Sequence, residues 1–169
     1  MTGGFVVERL GAHDRSGFSC GVPALDRYLR EQVSQDVKRL MASCFVAVEE
    51  ATNALAGYYT LAATSVPATE LPPETLRRLP RYPVLPAALV GRLAIDTRFH
   101  RRGLGSALLA DAALRVFEGD TKAFALIVEA IDERAAAFYE LHGFRPFASR
   151  PMSLFLPIAT ARRAAGGEP

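Results

Sequence analysis

Cysteine, lysine and long apolar runs are scarce in this chain, and each scarcity excludes a class of protein. Cys20 and Cys44 are the only two cysteines in 169 residues, too few for a disulfide framework or a thiolate metal cluster. They read as two reduced thiols, and no metal is expected. No apolar run is long enough to span a membrane, and the first residues lack the basic-then-apolar pattern of a secretory signal. The expected compartment is the cytoplasm, with no membrane partner. There is no Gly-Lys-Ser/Thr and no third glycine to complete G-x-G-x-x-G. Neither the nucleoside-triphosphate loop nor the dinucleotide fingerprint is therefore present.

Arginine takes the place of lysine. Of 20 Lys and Arg residues only Lys38 and Lys122 are lysines. Seven arginines (77, 78, 81, 92, 98, 101 and 102) lie in one stretch against the single acid Asp96. That stretch carries +6, leaving the rest of the chain at −4 within a net charge of +2. Arginine grips phosphate bidentately and stacks on bases. The charge therefore suits a polyanion, or else forms a solvated basic face.

The most informative segment is His100-Arg101-Arg102-Gly103-Leu104-Gly105-Ser106. It follows an apolar strand, Val90–Asp96, and opens a helix whose spacing is marked by Leu104, Leu108, Leu109, Ala112, Leu114 and Val116. Gly103 and Gly105 let the backbone turn tightly and approach a ligand. The first-turn N–H groups and the helix dipole then favour an anion, so the segment reads as a pyrophosphate cradle.

Half of the residues are apolar, enough for one ordinary core. Phe5–Leu10 alternates as a first strand. A helix follows Pro23 with Leu25, Tyr28, Leu29, Val33 and Val37 on its apolar face. Cys44–Val48 and Leu55–Ala63 read as a hairpin about Ala51-Thr52-Asn53. Six prolines between residues 64 and 88 forbid a long helix or a central strand there, though a short helix over Pro73–Leu79 fits. Phe124–Ala130 is a buried strand, and Glu133–His142 a helix capped by Asp132 and ended by Gly143. Phe144–Phe147 and Met152–Leu156 close the sheet. The order β-α-β-β-loop-β-α-β-α-β-β predicts an α/β fold: a mixed, mostly antiparallel sheet with helices on both faces. One domain over residues 1–158 and a frayed, flexible tail over 159–169 are expected.

These segments together resemble the GNAT-fold N-acetyltransferases. Gly103 and Gly105 match the family's Gln/Arg-x-x-Gly-x-Gly/Ala phosphate motif, with His100 at the Gln/Arg position, and Ala137–Phe144 matches its late motif. Phe18–Leu29, Gly57–Leu61, Gly91–Asp96 and Ser153–Leu156 narrow the resemblance to the tRNA-acetylating toxins of type II toxin–antitoxin modules. The resemblance implies acetyl-CoA as cosubstrate and an aminoacyl-tRNA whose α-amino group is acetylated, so that translation stops. It implies a ribbon-helix-helix antitoxin, contact with DNA only through that antitoxin, and a homodimer. It also implies Tyr139 as catalytic residue. Residues implied to hold acetyl-CoA are the backbone of Leu93, Ala94 and Ile95 together with His100, Arg101, Arg102, Gly103, Leu104, Gly105 and Ser106.

Chemistry adds detail. A phenol remains protonated at neutral pH and can donate to a departing thiolate. An α-amino group, with a pKa near 8, is about one-tenth neutral at pH 7, so a strong base is dispensable. Glu129 is a candidate base acting through water, or a strand-end carboxylate paired with arginine. His142 suits a helix C-terminus, and His13 and Cys20 read as structural. Arg92, in a core strand, must emerge at the substrate or pair with an acid such as Asp96 or Glu129. It is the favoured contact for the tRNA acceptor end, with Arg77, Arg78 and Arg81 as candidates for tRNA phosphates. The alternatives are a GNAT enzyme for a small amine or a protein N-terminus, and a non-enzymatic nucleic-acid-binding module.

Overall fold

The computed structural model describes residues 4–166. Its seven-stranded sheet has the order β1-β2-β3-β4-β5-β7-β6. This is the mixed, mostly antiparallel arrangement expected, in which β4 and β5 pair in parallel. The chain divides into two compact units: one is the chain up to Ala62 plus Gly91–Asp111, the other Ala63–Val90 plus the chain from Ala112.

In the first unit, β1 (Phe5–Arg9) pairs antiparallel with β2 (Ser43–Glu49), which pairs with β3 (Leu55–Pro67). The turn joining β2 and β3 places Asn53 at φ 63°, a conformation asparagine tolerates well. The single helix expected after Pro23 is two: α1 (Pro23–Glu31) and α2 (Val33–Lys38), broken at Gln32 with φ −121° and ψ −34°. The break keeps Leu29 and Val33 fully buried, beside Phe18, Tyr28, Cys44, Val46, Leu55 and Tyr58 in one apolar cluster.

The second unit holds the proline-rich segment. It is ordered, not slack: α3 (Pro73–Leu76) and a 3₁₀ turn at Ala68–Glu70 lie within it. Leu71, Leu76 and Leu79 pack into a second cluster with Leu85, Ile127, Phe147 and Phe155. Glu70 accepts hydrogen bonds from the Ser149 hydroxyl at 2.6 Å and amide at 3.2 Å, and Arg145 pairs with Glu74 at 2.8 Å.

Strand β4 (Val84–Ile95) starts six residues before the expected Val90 and runs through Pro86. The parallel ladder with β5 (Ala125–Glu129) begins only at Ala88↔Leu126, beyond the proline. Pro86 contributes just its carbonyl, accepting from Phe124 N–H at 2.9 Å, so its missing donor is not needed there. Helix α4 (Leu104–Glu118) and α5 (Glu133–Leu141) form as read. The Asp132 side chain caps α5 by accepting from Ala135 N–H at 2.8 Å, and Gly143 follows at φ 93°. Strand β6 is short (Arg145–Pro146), and β7 (Ser153–Pro157) pairs with β5. Within the expected tail, residues to 166 belong to α6 (Ile158–Gly166), whose first N–H donates to Phe124 O at 2.7 Å; residues 167–169 lie outside the described ones.

Gly57 allows β3 its approach to the end of β4. A Cβ there would lie 2.9 Å from Ile95 Cδ1, 3.0 Å from the Ala94 carbonyl oxygen and 3.2 Å from Leu108 Cδ1. Gly57→Val is expected to destabilise the protein by about 1–3 kcal/mol through overpacking. Urea unfolding measures this, and an unchanged midpoint would contradict the close approach.

Candidate active site

The first unit carries the predicted cradle. After β4 the chain makes a 3₁₀ turn (Thr97–Phe99), then enters the loop that starts α4. Arg101 (φ 63°) and Gly103 (φ 75°) both adopt left-handed backbone. Left-handed residues placed alternately turn successive N–H groups toward one concavity, an anion-binding nest. The first intrahelical bond to Gly103 comes from Ala107 at 3.1 Å, so the first-turn amides before it face out of the helix. Arg101 is exposed and Leu104 is buried beneath the loop.

One carboxylate holds this loop. Asp96 is 1% exposed. It accepts from the Arg98 amide at 2.9 Å, from Arg98 Nε and Nη2 at 2.9 and 3.1 Å, and from the Ser19 amide at 3.0 Å. Burial pushes its pKa up, but the hydrogen bonds from Arg98 and Ser19 outweigh burial and hold it below the usual aspartate value. The flanking amides are also fixed: Asp96 N–H donates to Ala56 O at 2.8 Å and Thr97 N–H to Ser19 O at 2.9 Å.

Two residues implied to touch the phosphates have protein partners. His100 Nε2 lies 2.8 Å from the Ile95 carbonyl oxygen; a ring nitrogen facing a carbonyl must carry the proton. Arg102 lies over the rings of Phe5 and Phe99, at 5.1 and 5.6 Å, and 3.9 Å from Glu49. Leu93, Ala94 and Ile95 form the last three residues of β4, and the β4–β5 ladder ends earlier, at Val90↔Val128.

Arg92 does not pair with Asp96, which Arg98 has taken. Its guanidinium carbon lies 3.6 Å over the centre of the Tyr28 ring. Its amide donates to Thr60 Oγ1 at 3.1 Å. Tyr28 and Thr60 were missed in the sequence reading as partners of Arg92. Tyr28 lies in the Phe18–Leu29 stretch, but nothing in its spacing signals a stack with a residue so distant in sequence.

The second unit holds Tyr139, Glu129 and the loop arginines. Tyr139, on α5, is 7% exposed and packs edge-on against Phe138 and Phe144 at 5.4 and 5.6 Å. The chain has five tyrosines, and Tyr82 is exposed. Of the four buried tyrosines, three commit their hydroxyls: Tyr28 donates to Asp36, Tyr58 to Leu25 O and Tyr59 to Asp111. Among the described residues, none accepts from Tyr139. Burial pushes the Tyr139 phenol up to about 12, so it is a donor at any physiological pH. Glu129 is exposed at the end of β5, and Arg77, Arg78 and Arg81 are exposed on the proline-rich segment.

Residues 41–146 match the acetyltransferase (GNAT) domain model. The chain is 36% identical over 157 residues to a tRNA-acetylating toxin of Mycobacterium tuberculosis, covering 92% of each protein. It superposes with a TM-score of 0.87 and 26% identity on AtaT complexed with acetyl-methionyl-tRNAfMet, over 96% of this chain and 99% of that one. It matches the crystal structure of AtaTR bound with acetyl-CoA with a TM-score of 0.81 and 26% identity, over 95% and 98% of the two chains.

Two outcomes follow from the cradle. Gly103→Ala places a Cβ on left-handed backbone, at a cost of about 1 kcal/mol. Isothermal titration is expected to show acetyl-CoA bound roughly tenfold more weakly if the loop shifts to relieve that strain. For Asp96 the folded pKa is depressed. Its contribution is therefore complete above the unfolded value near 3.9 and is lost as pH falls through the folded value. Asp96→Asn is expected to lower stability at neutral pH by about 1–3 kcal/mol. It should also flatten the acid limb of stability measured by urea unfolding across pH.

Proposed function

Because the chain belongs to the GNAT acetyltransferase family, we propose that it carries acetyl from acetyl-CoA to the α-amino group of an aminoacyl-tRNA, as the translation-blocking toxin of a type II module. The observation that carries the chemistry is the Tyr139 hydroxyl: its ring is buried, yet the hydroxyl itself reaches solvent and is uncommitted where those of the other buried tyrosines are committed. The substrate class rests on the near-full-length similarity to a tRNA-acetylating toxin and on the exposed Arg77, Arg78 and Arg81.

In this reading the amides of the Arg101–Ser106 loop hold the pyrophosphate, with Gly103 and Gly105 keeping the approach open and Arg101 adding charge. His100 and Arg102 shape the loop through Ile95, Phe5 and Phe99. The backbone of Leu93, Ala94 and Ile95 receives the pantetheine arm and the thioester carbonyl, whose developing oxyanion needs fixed N–H donors. The neutral amine attacks the carbonyl carbon, the new C–N bond forms and the C–S bond breaks. The proton that the amine loses ends on sulfur, so no net acid or base is consumed. Tyr139 donates its hydrogen bond to the departing thiolate. With a phenol near pH 12, its part is to stabilise the thiolate, not to supply a free proton.

The cytoplasm is the site of action. The partner is a ribbon-helix-helix antitoxin that reaches DNA on the toxin's behalf, and a homodimer doubles the basic surface offered to tRNA.

The test is mass spectrometry of a charged tRNA pool incubated with labelled acetyl-CoA. Label is expected on the amino acid of one or a few tRNAs, with binding that weakens steeply as salt rises. Tyr139→Phe is expected to cut kcat by about a hundredfold or more with acetyl-CoA affinity unchanged. Label confined to small amines or peptide N-termini would replace the tRNA reading with a general acetyltransferase.

A further inference from the structure

Arg92 presents an unresolved charge. It is half-buried within β4, where an unpaired cation is costly. Its amide is bonded to Thr60. Among the described residues, no carboxylate or carbonyl accepts from its guanidinium. What it has is a ring: Tyr28, 3% exposed, with the guanidinium carbon 3.6 Å above its centre. A stack of this kind occupies one face of the guanidinium and leaves its in-plane N–H donors available.

The ring is itself fixed. Tyr28 donates to Asp36 Oδ2 at 2.7 Å, so its hydroxyl ties α1 to α2 across the break at Gln32. Burial, and then the bond to Asp36, pushes the phenol well above its usual value. The ring thus remains neutral beneath the cation. The arrangement is a planar, oriented donor set with a rigid back and, among the described residues, no acceptor.

We propose that Arg92 grips the terminal phosphodiester of the tRNA acceptor end and that Tyr28, anchored by Asp36, is its positioning residue. This rests on the aminoacyl-tRNA reading. The choice of ligand follows from charge. At that end of an aminoacyl-tRNA the amine is a cation or neutral and the ester is neutral. The backbone anions are phosphodiesters, and a guanidinium edge matches two phosphate oxygens at once. Arg92 also lies directly before Leu93, the first of the residues assigned to the thioester. A grip there would set the distance from the last phosphate to the reacting amine.

The experiment compares two minimal acceptors, 3′-O-aminoacyl-adenosine with and without a 5′-phosphate, alongside the full aminoacyl-tRNA. The wild type is expected to use the phosphorylated fragment with a kcat/KM at least tenfold higher, mostly through KM. In Arg92→Gln this phosphate advantage disappears while acetyl-CoA affinity is unchanged. Arg92→Lys keeps only part of it, since an ammonium lacks the planar fork. Tyr28→Leu loses the advantage, and Tyr28→Phe, which keeps the ring, restores most of it. Acetyl-CoA binding certifies that each variant is folded. If the wild type acetylates aminoacyl-tRNA and Arg92→Gln retains the full advantage, the inference about Arg92 is overturned alone. If Tyr28→Leu binds acetyl-CoA and retains it, the positioning role is overturned. If the wild type acetylates neither the tRNA nor the fragments, the substrate reading fails and this inference with it.

Discussion

The buried carboxylate of Asp96 is the constraint on which the first unit's chemistry depends. It stands where β4 ends and the cradle loop begins, and it gathers the Ser19 amide, the Arg98 amide and the Arg98 guanidinium. A buried carboxylate with fewer donors would be driven to protonate. With these it remains charged and becomes a rigid corner. The segment before α1, the 3₁₀ turn and the end of β4 are thereby joined at one point. The loop that follows starts from a fixed direction and carries left-handed backbone at Arg101 and Gly103.

A second set of constraints comes from hydroxyls. The Tyr59 hydroxyl donates to Asp111 at 2.6 Å and so ties the middle of β3 to α4, the helix that follows the glycine loop. Tyr58 ties β3 to α1 through the Leu25 carbonyl at 2.7 Å. Tyrosine serves here as a long apolar strut with one polar end, packing its ring while the hydroxyl fixes a distant element. Tyr139 has the same burial without the tie. In a core where comparable hydroxyls are engaged, that difference is what supports the role proposed for Tyr139.

What the sequence revealed was what local chemistry dictates. The left-handed turn at Gly103, the Asp132 cap, the Gly143 helix end and the Asn53 turn are decided within four or five residues, and the structure forms each of them, while Gly105 lies within α4. The early start of β4 was hidden by Pro86. Whether a proline is tolerated depends on which neighbour needs its missing N–H, and that is a matter of sheet pairing. The helix at residues 158–166 was hidden because its anchor, the Phe124 carbonyl, is remote in the chain. Arg92 was recognised as anomalous, but its answer was an aromatic ring rather than the expected acid. Ion pairs are guessed from charge; a stack depends on geometry alone.

Arg101 holds a left-handed backbone that costs a residue with a Cβ about 1–2 kcal/mol. That strain is stored when the chain folds, before any ligand arrives. The loop is therefore preorganised. In the proposed reading little conformational entropy then remains to be lost when the pyrophosphate enters, and its binding free energy is left to orient the rest of the cosubstrate.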